Sequence, residues 1–245
     1  MFDYGKIIFM DNKPIYFNYV FKFSGGVEKR FDVRLDSGTL NLIRQPKESY
    51  PEWADLNFFK CPNCTIDEEK YKNCPIVESI VDVIDFFKNS ASYEEVDVSI
   101  ETEARTYFKH TTHQKSVSPL IGIYMVTSGC PVMDKLKPMV RYHLPFATED
   151  ETRYRVISMY LIAQYFIHRK GGEPDWDLKN LVKIYDEVRV VNKSFSKRLS
   201  NIKIEDASIN ALIILDCFAD FVKFSISKDM LDDMKTLFKA YLGKS

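Results

Sequence analysis

The protein has 245 residues, of which 45% are hydrophobic and 14% are aromatic, a composition typical of a globular protein with a substantial core. Its 34 Lys and Arg residues and 35 Asp and Glu residues give a formal net charge of -1, which argues against a strongly basic nucleic-acid surface and against a polybasic membrane anchor. The N-terminus has no apolar run of signal-peptide length, and the most apolar stretch, residues 156–167, is too short to cross a membrane. The sequence therefore predicts a cytoplasmic protein that binds neither nucleic acid nor membrane.

Two β-strands are the first elements that the sequence predicts. Residues 15–23 are aromatic and β-branched, and residues 27–35 alternate apolar with charged side chains, which is the pattern of a strand with one solvated face. Gly25 and Gly26 lie between them and tolerate the positive φ that a tight turn requires. We expect a β-hairpin here, followed after another turn by a short strand over residues 39–43.

The middle of the chain alternates predicted helices with a strand. Residues 75–88 place apolar side chains at helical spacing, and proline suits the first helical position because its missing N–H costs nothing there. A strand is predicted over residues 96–100, and a buried helix or, less favoured, a strand over residues 118–126. A further helix is expected after Pro131, and Pro138 should end or kink it.

From Thr148 onward the pattern is helical. Thr148 and Glu151 have the spacing of a capping box at the start of one helix, and Gly171 marks its end. Further helices are predicted at about residues 177–199, 206–224 and 228–241. The helix over residues 206–224 is apolar on so many faces that we expect it to be central.

These elements predict an α+β fold. An N-terminal antiparallel β-hairpin or small sheet with helices is followed by a C-terminal helical bundle. The predicted boundary separates an α+β half, residues 1–147, from a bundle, residues 148–245. No low-complexity linker lies between the halves, so they can share one core.

Four cysteines have the spacing of a metal site. Cys61 and Cys64 form a C-x2-C pair, whose sulfurs can face one ion from a single short loop. Cys74 and Cys130 each precede a proline at a predicted helix start, where free N–H groups and the helix dipole lower the pKa of a thiol. Cytoplasmic cysteines bind metal, react or pack more often than they form disulfides. We therefore predict a metal site made of Cys61, Cys64, Cys74 and Cys130, with zinc favoured over an iron–sulfur cluster.

Other interpretations of the cysteines and histidines stay open. The four cysteines can instead be small buried residues near turns. His143 follows Cys130 by one short helix, so a Cys–His nucleophilic pair is a second alternative, although no oxyanion loop is apparent. Cys217 lies in an apolar run and is predicted to be a core residue, whereas His110 and His113 lie in a Thr-rich stretch and are predicted to be solvated.

Known catalytic signatures are absent from the sequence. There is no glycine-rich phosphate loop, no G-x-S-x-G motif and no H-E-x-x-H motif. The carboxylates at positions 101 and 103 fit a solvated turn better than an acid/base site. No catalytic residue and no organic cofactor is therefore assigned.

Several motifs together resemble the pattern of a known family. They are Cys61-Pro62-Asn63-Cys64, Cys74-Pro75, Ser128-Gly129-Cys130-Pro131, His143-Leu144-Pro145-Phe146 and Glu151-Thr152-Arg153-Tyr154-Arg155. In these motifs the chain is similar to an uncharacterised bacterial family, a domain of unknown function, and the likeness extends over most of the chain. The resemblance implies a bacterial cytosolic protein, and it implies no activity, substrate or cofactor.

Taken together, the motifs favour a non-enzymatic protein. We predict that its metal site fixes the loop at residues 61–74 to the helix start at Cys130, and that its bundle acts in contact with a protein partner or in self-association. The alternative is an enzyme that uses an iron–sulfur centre or the pair of Cys130 and His143.

Overall fold

A four-stranded antiparallel sheet forms the N-terminal part of the fold. The computed structural model describes residues 13–227 and 230–243. Its strands are β1 (Ile15–Phe23), β2 (Glu28–Leu35), β3 (Glu95–Glu101) and β4 (Thr106–Thr112). They lie in the order β2-β1-β3-β4, and Gly26 adopts a φ of 78° in the turn between β1 and β2. The predicted hairpin is confirmed.

One face of the sheet packs against two helices, α1 (Pro75–Phe87) and α2 (His113–Thr127). Because side chains alternate along a strand, Phe17, Tyr19 and Phe21 of β1 point to this face together, and all three are buried. Phe21 meets Phe87 of α1 edge to face with ring centroids 5.2 Å apart. Aromatic contacts of this kind join the sheet to the first helical layer.

The remaining elements of the described chain are helical. They are the 3-10 helices Glu52–Ala54, Leu56–Phe58, Met133–Leu136 and Met230–Phe238, and the helices α3 (Lys137–Arg141), α4 (Glu149–Arg169), α5 (Lys179–Ser200), α6 (Ala207–Ser227) and α7 (Lys239–Leu242). The predicted α+β class, a small antiparallel sheet with helices followed by a helical C-terminal part, is confirmed. Within residues 13–227 and 230–243, no helix combines the length and the apolar character needed to cross a membrane.

Helix α6 has the central position that its apolar sequence predicts. It packs against α5, α2 and α4. The buried residues of the sheet, α1, α2, α5 and α6 form one connected hydrophobic cluster. The covering is not complete, because Ile213, Cys217 and Phe224 of α6 are exposed along one edge. The prediction that Cys217 is a core residue is therefore wrong.

Helix α4 begins and ends at the residues that the sequence predicts. The Thr148 hydroxyl accepts a hydrogen bond from the backbone N–H of Glu151 at 3.2 Å, and the Glu151 carboxylate accepts one from the N–H of Thr148 at 2.8 Å. At the other end Gly171 has a φ of 80°, and the N–H of Gly172 donates to the carbonyl of Ile167 at 3.0 Å. Local signals are sufficient to define this helix.

Three local predictions differ from the structure. Residues 39–43 form no strand, and only a single bridge joins Leu42 to Leu35. Strand β4 was not predicted, because it is an edge strand with most side chains exposed and therefore lacks an alternating pattern. Pro138 does not end a helix but lies in the first turn of α3, where its missing N–H is tolerated. The predicted start of the last helix, at residue 228, lies outside the described residues.

The central position of α6 predicts a sharp difference between two neighbouring side chains. Leu212 is fully buried, whereas the adjacent Ile213 is 48% exposed. Leu212→Ala should lower the free energy of unfolding by about 2–5 kcal/mol, because it leaves a cavity in the core. Ile213→Ala should change it by less than about 1 kcal/mol. Urea unfolding followed by circular dichroism measures both values, and similar losses for the two variants would contradict the packing described for α6.

Candidate metal centre

The four cysteines of the predicted site line one small enclosed cavity of about 20 Å³. Cys61 and Cys64 come from one loop, Cys74 precedes α1, and Cys130 follows α2. All four are free cysteines. Arg198 of α5 lines the same cavity. Three segments that are distant in sequence therefore bring four sulfur atoms to a single enclosed space.

The first pair lies in a tight turn that is attached to α5. The backbone N–H of Cys64 donates to the carbonyl of Cys61 at 3.0 Å, which closes the turn. Between them, the Asn63 side-chain amide donates to the backbone carbonyl of Glu187 at 3.0 Å and to its carboxylate at 2.5 Å. The turn is thus held against the helix that also supplies Arg198.

The other two cysteines precede prolines in similar local settings. The backbone N–H of Cys74 donates to the carbonyl of Ala54 at 2.8 Å, and Cys74 is the N-cap residue of α1. Cys130 follows Gly129, whose φ of 94° makes the turn out of α2, and its N–H donates to the Ser128 hydroxyl at 3.2 Å. The predicted position of Cys74 at a helix start is confirmed, and Cys130 lies three residues before a 3-10 helix that begins at Met133.

Burial favours the protonated form of three thiols of this cluster. It raises the pKa of the Cys61 thiol to about 11, and it also raises the pKa of the Cys74 and Cys130 thiols. Backbone N–H groups of the following turn lower the last two pKa values, but burial has the larger effect. The expectation that a helix start lowers the pKa of these two thiols is therefore wrong in its net direction.

Arg198 is a buried cation that sequence reasoning missed. Only 2% of it is exposed, yet its guanidinium has no carboxylate within ion-pair distance anywhere in the described chain. It donates instead to four backbone carbonyls at 2.5–3.3 Å, those of Trp53, Asp55, Leu56 and Phe59. Its burial could have been predicted from the sequence, because Arg198 follows buried Phe195 by three residues and so lies on the apolar face of α5.

The cavity is lined by side chains that can act as metal ligands, but they do not form a coordination site in this structure. Across residues 13–227 and 230–243, no three His, Cys, Asp or Glu side chains are arranged closely enough to hold a metal ion directly. The cavity of about 20 Å³ is nevertheless of the size that one small guest occupies. Zinc–sulfur bonds are about 2.3 Å long, so the sulfurs would have to draw inward by rotation of their side chains to bind an ion.

The structure does not join Cys130 to His143. The two residues line different cavities, and no hydrogen bond connects them. Burial, and then the charge of Arg155, lower the pKa of His143 to about 3, while burial raises that of the Cys130 thiol. A nucleophile and its base need to be within hydrogen-bond reach, so this geometry gives the Cys–His alternative no support.

The two histidines of the Thr-rich stretch differ, because one ring is exposed and the other is buried. His110 is exposed on β4, and its Nδ1 lies 2.7 Å from a carboxylate oxygen of Asp97. His113 is only 3% exposed and packs edge to face against Phe23 with ring centroids 5.4 Å apart. The prediction of a solvated ring is therefore wrong for His113.

Comparison with known protein families shows which family the chain belongs to. The sequence model of a family described as Domain of unknown function (DUF6901) matches residues 17–239. The chain belongs to this family. No curated protein and no solved structure gives a significant match. The predicted likeness to an uncharacterised domain family is confirmed for DUF6901, and the predicted bacterial origin stays a prediction.

The contacts of Arg198 predict a large effect of its removal. Arg198→Met should lower the free energy of unfolding by about 3 kcal/mol or more, because the carbonyls of Trp53, Leu56 and Phe59 lose their donor. The Asp55 carbonyl keeps the N–H of Phe58 as a donor. Arg189→Met is a matched control on the same helix. Arg189 pairs with Asp216 and Asp220 near the surface, and its loss should cost about 1 kcal/mol or less. Chemical denaturation measures both values, and equal losses would contradict a structural role for the four contacts of Arg198.

Proposed function

We propose that this DUF6901 protein is a zinc-stabilised interaction module in which Cys61, Cys64, Cys74 and Cys130 bind one zinc ion as thiolates. The observation that carries the proposal is the convergence of all four cysteines on one enclosed cavity. Four thiolates are a common ligand set of structural zinc sites, which have no open coordination position for a substrate. The ion would fasten the loop at residues 61–64 to the N-terminus of α1 and to the turn after α2.

The charge of Arg198 supports a metal–thiolate centre. A zinc ion with four thiolates carries a net charge of roughly -2, which is unfavourable in a buried site unless a cation lies nearby. Arg198 supplies a buried positive charge on the wall of the same cavity, and its hydrogen-bond partners are neutral carbonyls. Its charge favours the thiolate forms of Cys74 and Cys61. A bound zinc centre would therefore give this guanidinium the anionic neighbour that it otherwise lacks.

The size of the cavity favours one ion over a cluster. An iron–sulfur cluster contains several irons and sulfides, which need more room than about 20 Å³. A single zinc ion needs less room than a cluster, and rotation of the four side chains would bring their sulfurs to it. A reducing cytoplasm would keep the cysteines available as ligands, so the cytoplasmic location is part of the proposal.

The interaction surface in the proposal is the outer face of α4. Four large apolar side chains lie exposed along it at near-helical spacing, with exposed fractions of 44–58%, namely Tyr154, Ile162, Tyr165 and Phe166. The helix begins with Glu149, Asp150 and Glu151 and ends with His168 and Arg169. Two copies that pack antiparallel through α4 would cover these apolar side chains and set the acidic end of each helix against the basic end of the other. We therefore propose self-association through α4.

The zinc proposal predicts a link between metal content and stability. The protein should contain about one zinc ion per chain, and replacing any one of Cys61, Cys64, Cys74 or Cys130 with Ser should lower both the zinc content and the melting temperature. Cys217→Ser is the control, because Cys217 is exposed on α6 and should affect neither. Elemental analysis and calorimetry on protein prepared without air measure these effects.

Two results of that experiment would contradict the zinc proposal. One is equal metal content in all five variants. The other is a brown protein with iron–thiolate absorption bands, which would favour the iron–sulfur alternative.

The assembly proposal predicts a change in mass. Phe166→Asp should convert a dimer to a monomer, because it buries a charge in the α4 contact. Tyr93→Asp is the control, since Tyr93 is 75% exposed in the segment before β3 and should leave the mass unchanged. Light scattering coupled to gel filtration measures the mass. A wild-type protein that stays monomeric at high concentration would contradict self-association without affecting the zinc proposal.

A further inference from the structure

A second cavity, larger and separate from the cysteine site, opens beside α2. It is a cleft of about 410 Å³ between α2, α4, α5, α6 and the segment at residues 136–147, and it shares no lining residue with the cysteine cavity. Its volume lies in the lower part of the range of small-molecule sites. Much of its wall is apolar, with Ile123, Val126, Met139, Leu215 and Phe218 among the lining side chains. The cleft therefore has the size and the walls of a ligand site.

All formally charged side chains that line the cleft are basic. They are Lys109, Lys115 and Arg155, and no Asp or Glu lines it. Arg155 is half-buried, and its Nη2 donates to the carbonyls of Met139 and Tyr142, both at 2.9 Å. Its Nε and Nη1 have no hydrogen-bond partner within the described residues, and no carboxylate lies within ion-pair distance. The unused side of this guanidinium fork is available to an anion.

His143 contributes a neutral donor to the same cleft. Tyr19 is fully buried, and its hydroxyl has one hydrogen-bond partner in the described chain, Nε2 of His143 at 2.8 Å. A buried O–H must donate, so Nε2 accepts and the ring proton resides on Nδ1. Nδ1 makes no hydrogen bond to any described residue. His143 therefore offers an N–H donor without carrying a charge.

Tyr185 supplies a donor that the protein itself does not use. It lines the cleft and is only 5% exposed, and its hydroxyl has no hydrogen-bond partner among the residues that the structure describes. The hydroxyl oxygen is not itself enclosed, so its O–H faces the cleft and can donate to an acceptor that enters it. Arg155, His143 and Tyr185 thus present donors to one apolar cleft that contains no carboxylate of its own.

We propose that the cleft binds a single-chain apolar carboxylic acid as its anion. The carboxylate would accept hydrogen bonds from Arg155, His143 and Tyr185, and the hydrocarbon chain would lie along the apolar side chains of α2 and α6. A planar carboxylate matches the free edge of the guanidinium, and a cleft of about 410 Å³ is too small for a lipid with two long chains.

Calorimetric titration with decanoate tests this proposal. Decanoate should bind with a one-to-one stoichiometry, and decyltrimethylammonium, which has the same chain and a positive head group, should not bind at the site. Tyr185→Phe should weaken decanoate binding about tenfold or more, because it removes one hydrogen bond to a charged group. It should leave the melting temperature almost unchanged, since the hydroxyl has no protein partner. Tyr165→Phe on the outer face of α4 is the matched control and should bind decanoate as the wild type does.

A second variant tests where the hydrocarbon chain of the ligand lies. A Cβ placed on Gly122 would lie 3.4 Å from the Leu215 side chain, so Gly122→Leu should fill the cleft and abolish binding while the helix gains a better helix former. Three results would each overturn the proposal. The wild type does not bind decanoate, the ammonium compound binds equally well, or both Tyr185→Phe and Gly122→Leu keep the wild-type affinity. Binding of decyl phosphate without decanoate would also overturn it, because the head group would then not be a carboxylate.

Discussion

The buried guanidinium of Arg198 is the contact on which the cysteine site depends. It joins α5 to the segment at residues 53–59, which contains most of two short 3-10 helices. An ordinary apolar side chain at this position would fill space but leave the carbonyls of Trp53, Leu56 and Phe59 without a donor from the described chain. The guanidinium satisfies them together because its donors are fixed in one plane. The loop that follows this segment contains Cys61 and Cys64, so their position relative to Cys74 and Cys130 follows from the same contact.

Opposing electrostatic effects act on the thiols of the cysteine cluster, and the zinc ion that we propose would reconcile them. Burial and mutual repulsion favour neutral thiols, as the raised pKa of Cys61 indicates, whereas the adjacent charge of Arg198 favours thiolates. The unfavourable part of this arrangement is the buried cation without an anionic neighbour, because buried neutral thiols behave as small apolar groups. In the zinc centre that we propose, the ion binds the thiolates and the excess negative charge faces the arginine. The same arrangement explains why a structural role is favoured over a nucleophilic one, since protonated or metal-bound thiols attack poorly.

Local signals predicted much of the fold, and long-range contacts account for most of what they missed. The β1–β2 hairpin, the start of α1 and the capping box of α4 each depend on residues within one turn, and each was predicted. The role of Arg198 depends on α5 meeting a segment about 140 positions earlier, which no local pattern reveals. Cys217 has apolar neighbours in sequence, but helical periodicity places it on the exposed edge of α6 with Ile213 and Phe224. The four cysteines were predicted as a group from their spacing. The donors of the second cleft come from α4, α5 and the loop after α3, and they have no shared motif.

X-ray absorption at the zinc edge tests the central claim of this account most directly. The measurement reports the ligand atoms around the metal in the intact protein, without any substitution that could unfold it. The account predicts a first shell of four sulfur atoms at about 2.3 Å. A shell dominated by oxygen or nitrogen, or the absence of zinc from protein prepared under reducing conditions, would contradict it.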